Sequence, residues 1–157
     1  VNDLEMMPLL LEHFEMDFFL VATPYTQLNQ EPLENIFPEC QKRGMGVIIG
    51  APYASGILAT GASSEARYGY ARVEDTELNR VKAIEKVCSE HKIPLKAATL
   101  QFLLGHPLVA SVIPGAMHPD QVRDNLAMMK HPIPDSFWWD LKNEGLLHPE
   151  APVHTND

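Results

Sequence analysis

The sequence predicts an α/β protein with a parallel sheet. Three short apolar runs, 18–22, 45–49 and 108–113, have the length and composition of strands buried on both faces. Helical periodicity separates each run from the next, and the links from helix to strand are short. Strands that alternate with helices in this way are joined by right-handed crossovers, which make successive strands parallel.

The N-terminal third begins with a predicted helix over residues 3–15. Its apolar residues recur at helical spacing, and Asn2 or Asp3 is expected to cap it. The first apolar run follows as a strand. A second helix is predicted over residues 32–43, because Gly44 stands where a helix commonly ends.

The middle of the chain interrupts this alternation. Residues 50–71 follow the second strand and are rich in Gly, Ala, Ser and Tyr. A loop of this length inside a compact domain is usually functional. Two of its tyrosines, Tyr68 and Tyr70, either line a substrate mouth or tether the loop. Helices are then expected over residues 78–88, 94–104, 119–129 and 134–145.

Composition excludes several classes of protein. The chain has 157 residues, of which 45% are hydrophobic, and its formal net charge is −9. This apolar content can drive collapse, which argues against a disordered chain. The sequence contains no run of about 18 apolar residues, the length needed for a membrane-spanning helix. The negative charge argues against nucleic-acid and basic membrane-surface binding. With no targeting leader after Val1, we expect a cytoplasmic protein with one domain over residues 1–157.

Cysteines and histidines indicate neither disulfide nor metal chemistry. Cys40 and Cys88 each lie in a predicted helix and are expected to be reduced thiols. No histidine pair has helical metal-ligand spacing, so no metal site is expected. A triad of Ser55, His118 and Asp120 is disfavoured, because the sequence contains no G-x-S-x-G nucleophile elbow.

Two segments that follow predicted strands have the features of an anion site. Residues 50–61 are small enough for backbone N–H groups to approach an anion closely. Residues 113–119 lead into a helix whose free N–H groups favour a phosphate. In α/β proteins, ligands bind beyond the carboxyl ends of the strands, where both segments are expected.

Three sets of residues occur in an order and spacing that resemble the C-terminal half of an aldo-keto reductase. They are residues 17–28 ending in Tyr25-Thr26-Gln27-Leu28, the run 46–58, and residues 112–116 with Gln121, Asp124 and Asn125. The stretches 52–61 and 144–147 resemble the branch that contains aldose, fucose and pyridoxal dehydrogenases. The resemblance implies the C-terminal part of a (β/α)8 TIM barrel, with the three strands as its sixth, seventh and eighth.

The resemblance also implies an NAD(P)-dependent oxidoreductase that acts on a small, sugar-like alcohol or carbonyl substrate. Val1-Asn2 would end the fifth strand, and Asn2 would contact the nicotinamide carboxamide. The residues implied around the pyrophosphate are Gly50, Ala51, Pro52, Tyr53, Ser55, Gly56 and Ile57. Those implied at the adenosine end are Pro114, Gly115, Ala116, Met117, Gln121, Asp124 and Asn125.

Departures from the family pattern refine these expectations. Gly50 replaces an aromatic residue that stacks on the nicotinamide, and Ala22 replaces a Gln. NADPH-selective members have Lys and Arg where this chain has Gly115 and Gln121. Two charge-assisted contacts of roughly 1.5–3 kcal/mol each would therefore be missing for a 2′-phosphate. Since Asp124 would also repel that phosphate, we expect NAD rather than NADP, with NADP possible.

No catalytic residue is assigned to the chain. The family's catalytic Asp, Tyr, Lys and His come from the first four strands of the barrel, which this sequence does not include. The resemblance therefore implies that this chain supplies cofactor binding and that activity requires the N-terminal half. Two alternatives remain open, a non-catalytic nucleotide-binding module and an accessory subunit.

Overall fold

The computed structural model describes residues 1–63, 67–68 and 71–154. Its strands are β1 (Phe18–Ala22), β2 (Gly46–Gly50), β3 (Arg67–Tyr68), β4 (Ala71–Arg72) and β5 (Val109–Ile113). Its α-helices are α1 (Met6–His13), α2 (Ile36–Lys42), α3 (Ile57–Thr60), α4 (Asp75–His91), α5 (Leu95–Leu104), α6 (Pro119–Met128) and α7 (Asp135–Asn143). Strands β1, β2 and β5 form a parallel sheet in that order, which confirms the predicted class.

The parallel sheet is covered on one face, and the prediction of strands buried on both faces was wrong. Phe19 and Val21 of β1 are buried in the core, but Phe18 and Leu20 are 54% and 42% exposed. Ile113 of β5 is 51% exposed. A continuous apolar run shows that both faces of a strand are apolar, but not whether anything covers the second one. We call Phe18, Leu20, Ile48 and Ile113 the open face.

The core lies between the covered face of the sheet and the helices. Ile49 of β2, Ile84 of α4, Leu100 of α5 and Trp138 of α7 are all fully or almost fully buried. This single cluster continues to the last helix and beyond, as far as Ala151. The helices therefore hold the strands, and with them the strand ends, in a fixed arrangement.

The helix bounds differ from the predicted ones at several points. Asp3 accepts a hydrogen bond from the Glu5 N–H (2.9 Å) ahead of α1, but the N-cap is Glu5, which makes no side-chain capping bond. The helix predicted over 32–43 divides into a 3₁₀ turn, Glu31–Leu33, and α2, which Asn35 caps. In contrast, α4 extends three residues beyond the predicted 78–88 at each end.

The long segment after β2 is partly ordered into regular structure. It contains a 3₁₀ turn (Ala54–Gly56), α3 and the antiparallel hairpin of β3 and β4. Tyr68 is half-buried and packs against the core, and it also lines a cavity beside Asn2 and Thr23, so both alternatives stay open for it. Tyr70 lies outside the described residues.

Val1 lies along the outer edge of β1. Its amino group donates to the Leu20 carbonyl (2.6 Å), and its carbonyl accepts from the Ala22 N–H (3.1 Å). This pair of bonds is the pattern by which a parallel strand would place Val1 opposite Val21. The edge of β1 is thus already occupied by one residue in parallel register.

Neither a membrane span nor a metal cluster is found in the described part of the chain. No helix within it is long and apolar enough to cross a membrane. Within the same residues, no three His, Cys, Asp or Glu side chains are grouped so that they could hold a metal ion. Cys40 and Cys88 are buried as free thiols, and burial raises the pKa of both.

Candidate cofactor-binding site

The two segments predicted to bind an anion begin side by side. Gly50, the last residue of β2, is paired with Ile113, the last residue of β5. We call residues 51–56 the cradle loop and residues 114–118 the helix-entry loop. Because parallel strands end at the same edge of their sheet, both loops lie at its carboxyl edge, where α/β proteins bind ligands.

The cradle loop has an unusual backbone. Ala51, Ala54 and Ser55 have positive φ angles of 48°, 48° and 60°, and Gly56 has a φ of 103°. Left-handed conformations cost a residue with a Cβ roughly 1–2 kcal/mol, and such strain clusters at ligand clamps. Anion-binding nests alternate right- and left-handed residues. In the cradle loop three left-handed residues follow one another, and the N–H groups of Ala54 and Gly56 donate to the carbonyls of Ala51 and Tyr53. Only Gly56 could have signalled this from sequence, since alanine seldom adopts a positive φ.

A buried hydrogen bond joins the cradle loop to α6. The Tyr53 hydroxyl donates to Oδ1 of Asn125 at 2.7 Å, and the two residues are 9% and 4% exposed. Burial raises the pKa of the Tyr53 hydroxyl, and the nearby Asp124 carboxylate raises it further, so the hydroxyl remains a donor. Both residues were predicted to contact the cofactor. The structure adds that their side chains are bonded to each other.

Lys96 is a member of the site that sequence reasoning missed. It projects from the first turn of α5, and its Nζ makes an ion pair with the Asp124 carboxylate. The same Nζ lies 5.6 Å from the centroid of the Tyr53 ring, within the range of a cation–π contact. We call Tyr53, Lys96, Asp124 and Asn125 the interloop cluster. A possible signal was the placement of a lysine at a helix N-terminus, which opposes the helix dipole.

The helix-entry loop is held in place by Gln121. Its Oε1 accepts hydrogen bonds from the N–H groups of Met117 (2.6 Å) and His118 (3.3 Å). The amide oxygen of this predicted cofactor ligand is therefore used to order the loop. Gly115, Ala116 and Met117 are exposed, and Pro114 is half-buried.

Asn2 lies at the same edge of the sheet but in a separate cavity. That cavity has a volume of about 480 Å³ and is lined by Asn2, Asp3, Thr23 and Tyr68, among others. Thr23, directly after β1, has a φ of 79°, which is strained for a β-branched residue.

Gly50 and Ala22, the two departures from the family pattern, are neighbours in the sheet. An added Cβ on Gly50 would lie 3.3 Å from the Ala22 Cβ and 3.4 Å from Leu20 Cδ2. The space between positions 50 and 22 therefore admits only small side chains, and an aromatic side chain at position 50 would require a shift of β1. Any stacking on a nicotinamide ring must come from residues other than Gly50.

The residues present fit an extended anionic dinucleotide. An added Cβ at Gly56 or at Gly115 would meet no atom within 4 Å, so the backbone of both loops is open to close approach. The cradle loop offers its open backbone at Gly56, and the N-terminus of the ten-residue α6 offers its dipole.

The family pattern described as Aldo/keto reductase family matches residues 1–143. The chain belongs to the aldo/keto reductase family. It is 35% identical over 147 residues to pyridoxal 4-dehydrogenase from Microbacterium luteolum, which covers 94% of this chain and 43% of the relative. It is 31% identical over 134 residues to D-threo-aldose 1-dehydrogenase from a Pseudomonas species, covering 85% of this chain and 41% of that enzyme.

A solved structure supports the fold. The aldo-keto reductase AKR11C1 from Bacillus halodurans, in its apo form, superimposes with a TM-score of 0.69 at 24% identity. The match covers 96% of this chain and 50% of AKR11C1. Its holo form gives a TM-score of 0.68 over nearly the same residues. The chain thus spans about half the length of that structure and less than half the length of both curated relatives.

Proposed function

We propose that this chain is the C-terminal, cofactor-binding part of an aldo-keto reductase barrel, forming one partial domain over residues 1–157. In this proposal it holds NAD for hydride transfer on an aldose or a similar alcohol or carbonyl substrate. The observation that carries the proposal is the pair of open loops that begin side by side at Gly50 and Ile113. The parallel sheet and the family membership supply its context.

Exposed apolar surfaces support the barrel part of the proposal. The open face of the sheet, on the side away from the helices, would pack in the interior of a closed barrel. Helix α1 precedes the outer strand β1 and exposes Met6 and Leu9, and α6 follows the outer strand β5 and exposes Val122 and Leu126. Further β/α units placed between these two edges would cover all three surfaces. Val1, already in parallel register with β1, lies where such a unit would join.

Each loop would serve a different part of the cofactor. The open backbone of the cradle loop would hold the pyrophosphate, with Ala51, Pro52, Ser55 and Gly56 along it and Ile57 directly after it. Pro114, Gly115, Ala116 and Met117 would lie along the adenosine end. When bound, NAD supplies the hydride chemistry at its nicotinamide ring, and the protein supplies binding and orientation.

The charges around the two loops favour NAD over NADP. Gly115 has no side chain and Gln121 is neutral, so neither offers a cation to a 2′-phosphate. Lys96 is paired with Asp124, whose carboxylate cancels its charge. The hydrogen bond between Tyr53 and Asn125 would hold the cradle loop against α6. Asn2 would present its amide to the nicotinamide carboxamide from the neighbouring cavity.

Catalysis would require the N-terminal part of the barrel, since no catalytic residue is assigned in this chain. The relatives are named as dehydrogenases of pyridoxal and of D-threo-aldoses. By this similarity we infer a small polar substrate. A cavity lined by Asn2, Thr23 and Tyr68 has room for part of such a molecule.

Calorimetric titration of the chain with NAD, ADP-ribose and NADP tests the proposal, together with a turnover assay using NAD and an aldose. We expect NAD and ADP-ribose to bind, NADP to bind more weakly, and the chain alone to show no turnover. A Phe18→Thr variant reduces the apolar area of the open face and leaves both loops unchanged. It serves as a second sample that is less prone to self-association. Absence of dinucleotide binding in both samples would refute the cofactor assignment. Turnover by the chain alone would refute the proposal that catalysis requires the N-terminal part of the barrel.

A free-standing nucleotide-binding module or an accessory subunit is the alternative. The open face and the outer edge of β5 favour the barrel, because an exposed apolar sheet with an open edge promotes association. Sedimentation velocity separates the two. A stable monomer that binds NAD tightly would favour the module, whereas concentration-dependent association relieved by Phe18→Thr would favour the barrel part.

A further inference from the structure

We propose that Lys96 is a positioning residue of the cofactor site, which ties the cradle loop to α6 and neutralises Asp124 beside the bound anion. The inference rests on the proposed function, because it assumes that a phosphate-bearing ligand occupies the loops. It assigns a role to a residue of α5 that lies in neither loop. Lys96 acts through Tyr53 and Asp124 and is not itself assigned a contact with the cofactor.

The contacts of Lys96 connect three elements. From α5, its Nζ reaches the Asp124 carboxylate on α6 and the face of the Tyr53 ring in the cradle loop. Its side chain is 22% exposed and that of Asp124 is 47% exposed, so the pair is only partly screened by solvent. The next residue on α6, Asn125, accepts the hydrogen bond from Tyr53. The four side chains therefore form one connected group.

Local preference does not account for a lysine at this position. The first turn of α5 contains no acidic residue, and its N-terminal dipole disfavours the positive charge of Lys96. Residues that violate a local rule are commonly explained by a tertiary or functional contact. Here that contact is the interloop cluster.

Neutralisation matters because of what binds nearby. If Lys96 lost its charge, Asp124 would present an unpaired carboxylate close to the site proposed for the adenosine end. Its repulsion would increase with the number of phosphate charges on the ligand. A purely structural role for Lys96 would instead weaken the binding of charged nucleotides and of an uncharged nucleoside equally.

The experiment compares the binding of three ligands by calorimetry, with competition titrations for a ligand that binds weakly. Adenosine carries no phosphate, ADP-ribose carries a pyrophosphate, and NADP adds a 2′-phosphate. We expect Lys96→Met to weaken ADP-ribose binding about tenfold, as for loss of one charge interaction of about 1.4 kcal/mol, and NADP binding by more. Adenosine binding should change less than about twofold. Lys96→Arg should retain affinity, and Lys82→Met, at an exposed lysine of α4, should match the wild type.

A double variant distinguishes charge from packing. In Lys96→Met/Asp124→Asn the unpaired carboxylate is gone, so ADP-ribose affinity should recover most of the loss. If the double variant does not recover, or if adenosine is weakened as much as ADP-ribose, the neutralising role is wrong. If the wild-type chain binds none of the dinucleotides, it is the proposed function that fails.

Hydrogen exchange on the ligand-free chain tests the tie independently of any ligand. The N–H groups of Gly56 and Leu58 both donate to the Tyr53 carbonyl, at 2.9 and 3.1 Å. Loosening Tyr53 should therefore speed their exchange in Lys96→Met and leave it unchanged in Lys82→Met. Equal exchange in Lys96→Met and wild type would overturn the positioning role.

Discussion

Gly115 offers the sharpest test of cofactor choice. We predict that Gly115→Lys raises affinity for NADP while leaving the fold intact. An added Cβ at this position meets no atom within 4 Å, and its φ lies outside the left-handed region, so a longer side chain enters open space without backbone strain. The free energy of unfolding should change by less than about 0.5 kcal/mol, as for most surface substitutions.

The expected gain follows from the one interaction that the lysine adds. A hydrogen bond between an ammonium and a phosphate contributes roughly 1.5–3 kcal/mol, which corresponds to about a 10- to 150-fold lower Kd for NADP. The Kd for NAD should change far less, because NAD has a hydroxyl where NADP has the phosphate. The second family position is less useful, since Gln121→Arg would remove the acceptor of the Met117 and His118 N–H groups.

Calorimetric titration with NADP and NAD at fixed ionic strength measures both Kd values, and urea denaturation checks stability. Gln41→Lys, on an exposed position of α2, adds the same charge far from the loops and serves as the matched control. If Gly115→Lys leaves the ratio of the two Kd values unchanged, the helix-entry loop does not lie at the 2′ position of the ribose. If Gln41→Lys gives the same gain, the effect is one of net charge alone.

Three further predictions concern stability. Tyr53→Phe leaves the buried Asn125 oxygen without its donor and should lower the free energy of unfolding by about 1–3 kcal/mol. Tyr53→Phe combined with Asn125→Leu should lower it by less than the sum of the two single changes. Additive losses in urea denaturation would argue against the hydrogen bond. Burial lowers the pKa of His106 from 6.5 to about 4, and its Nδ1 accepts the Leu108 N–H. The unfolded chain therefore binds the proton more tightly, and the free energy of unfolding should fall by about 3 kcal/mol as the pH drops from 6.5 to 4. His106→Gln should remove this part of the pH dependence and exposed His13→Gln should not; equal slopes in His106→Gln and wild type would contradict the assignment. Finally, a Cβ on Gly105 would lie 2.8 Å from backbone atoms of Val153 and His154, so Gly105→Ala should displace this tail and cost about 1–3 kcal/mol. Gly46→Ala is the control, because its added Cβ makes only an ordinary 3.6 Å contact with Ala110. If hydrogen exchange in the tail is the same in Gly105→Ala and wild type, the tail packs more loosely against Gly105 than described.

Elements defined by periodicity could be predicted closely. The first strand is found at 18–22 as expected, and the other two differ from their predicted bounds by one residue. The segment after β2 could not be predicted in this way. Its hairpin of two-residue strands and its left-handed alanines depend on contacts with other parts of the chain, so they leave little trace in local sequence.

The candidate site divides along the same line. The small residues of 50–61 and the Pro-Gly turn before α6 pointed to both loops, because these features act through the backbone of a single segment. The interloop cluster joins residues 53, 96, 124 and 125 from three segments, and no local pattern marks Lys96 as their partner. The ligand contacts of Tyr53 and Asn125 stay predictions, and only the structure shows that their side chains bind each other.

By itself the sequence determined the class of fold, the family resemblance and the two loops proposed to bind a ligand, since apolar period, turn residues and motif spacing are properties of short segments. Only the tertiary structure decided which sheet face is covered, and which side chains hold the loops together. Those outcomes depend on distances between segments far apart in the chain. An apolar strand such as Phe18–Ala22 has the same sequence whether one face or both are buried, because burial is determined by what packs against it.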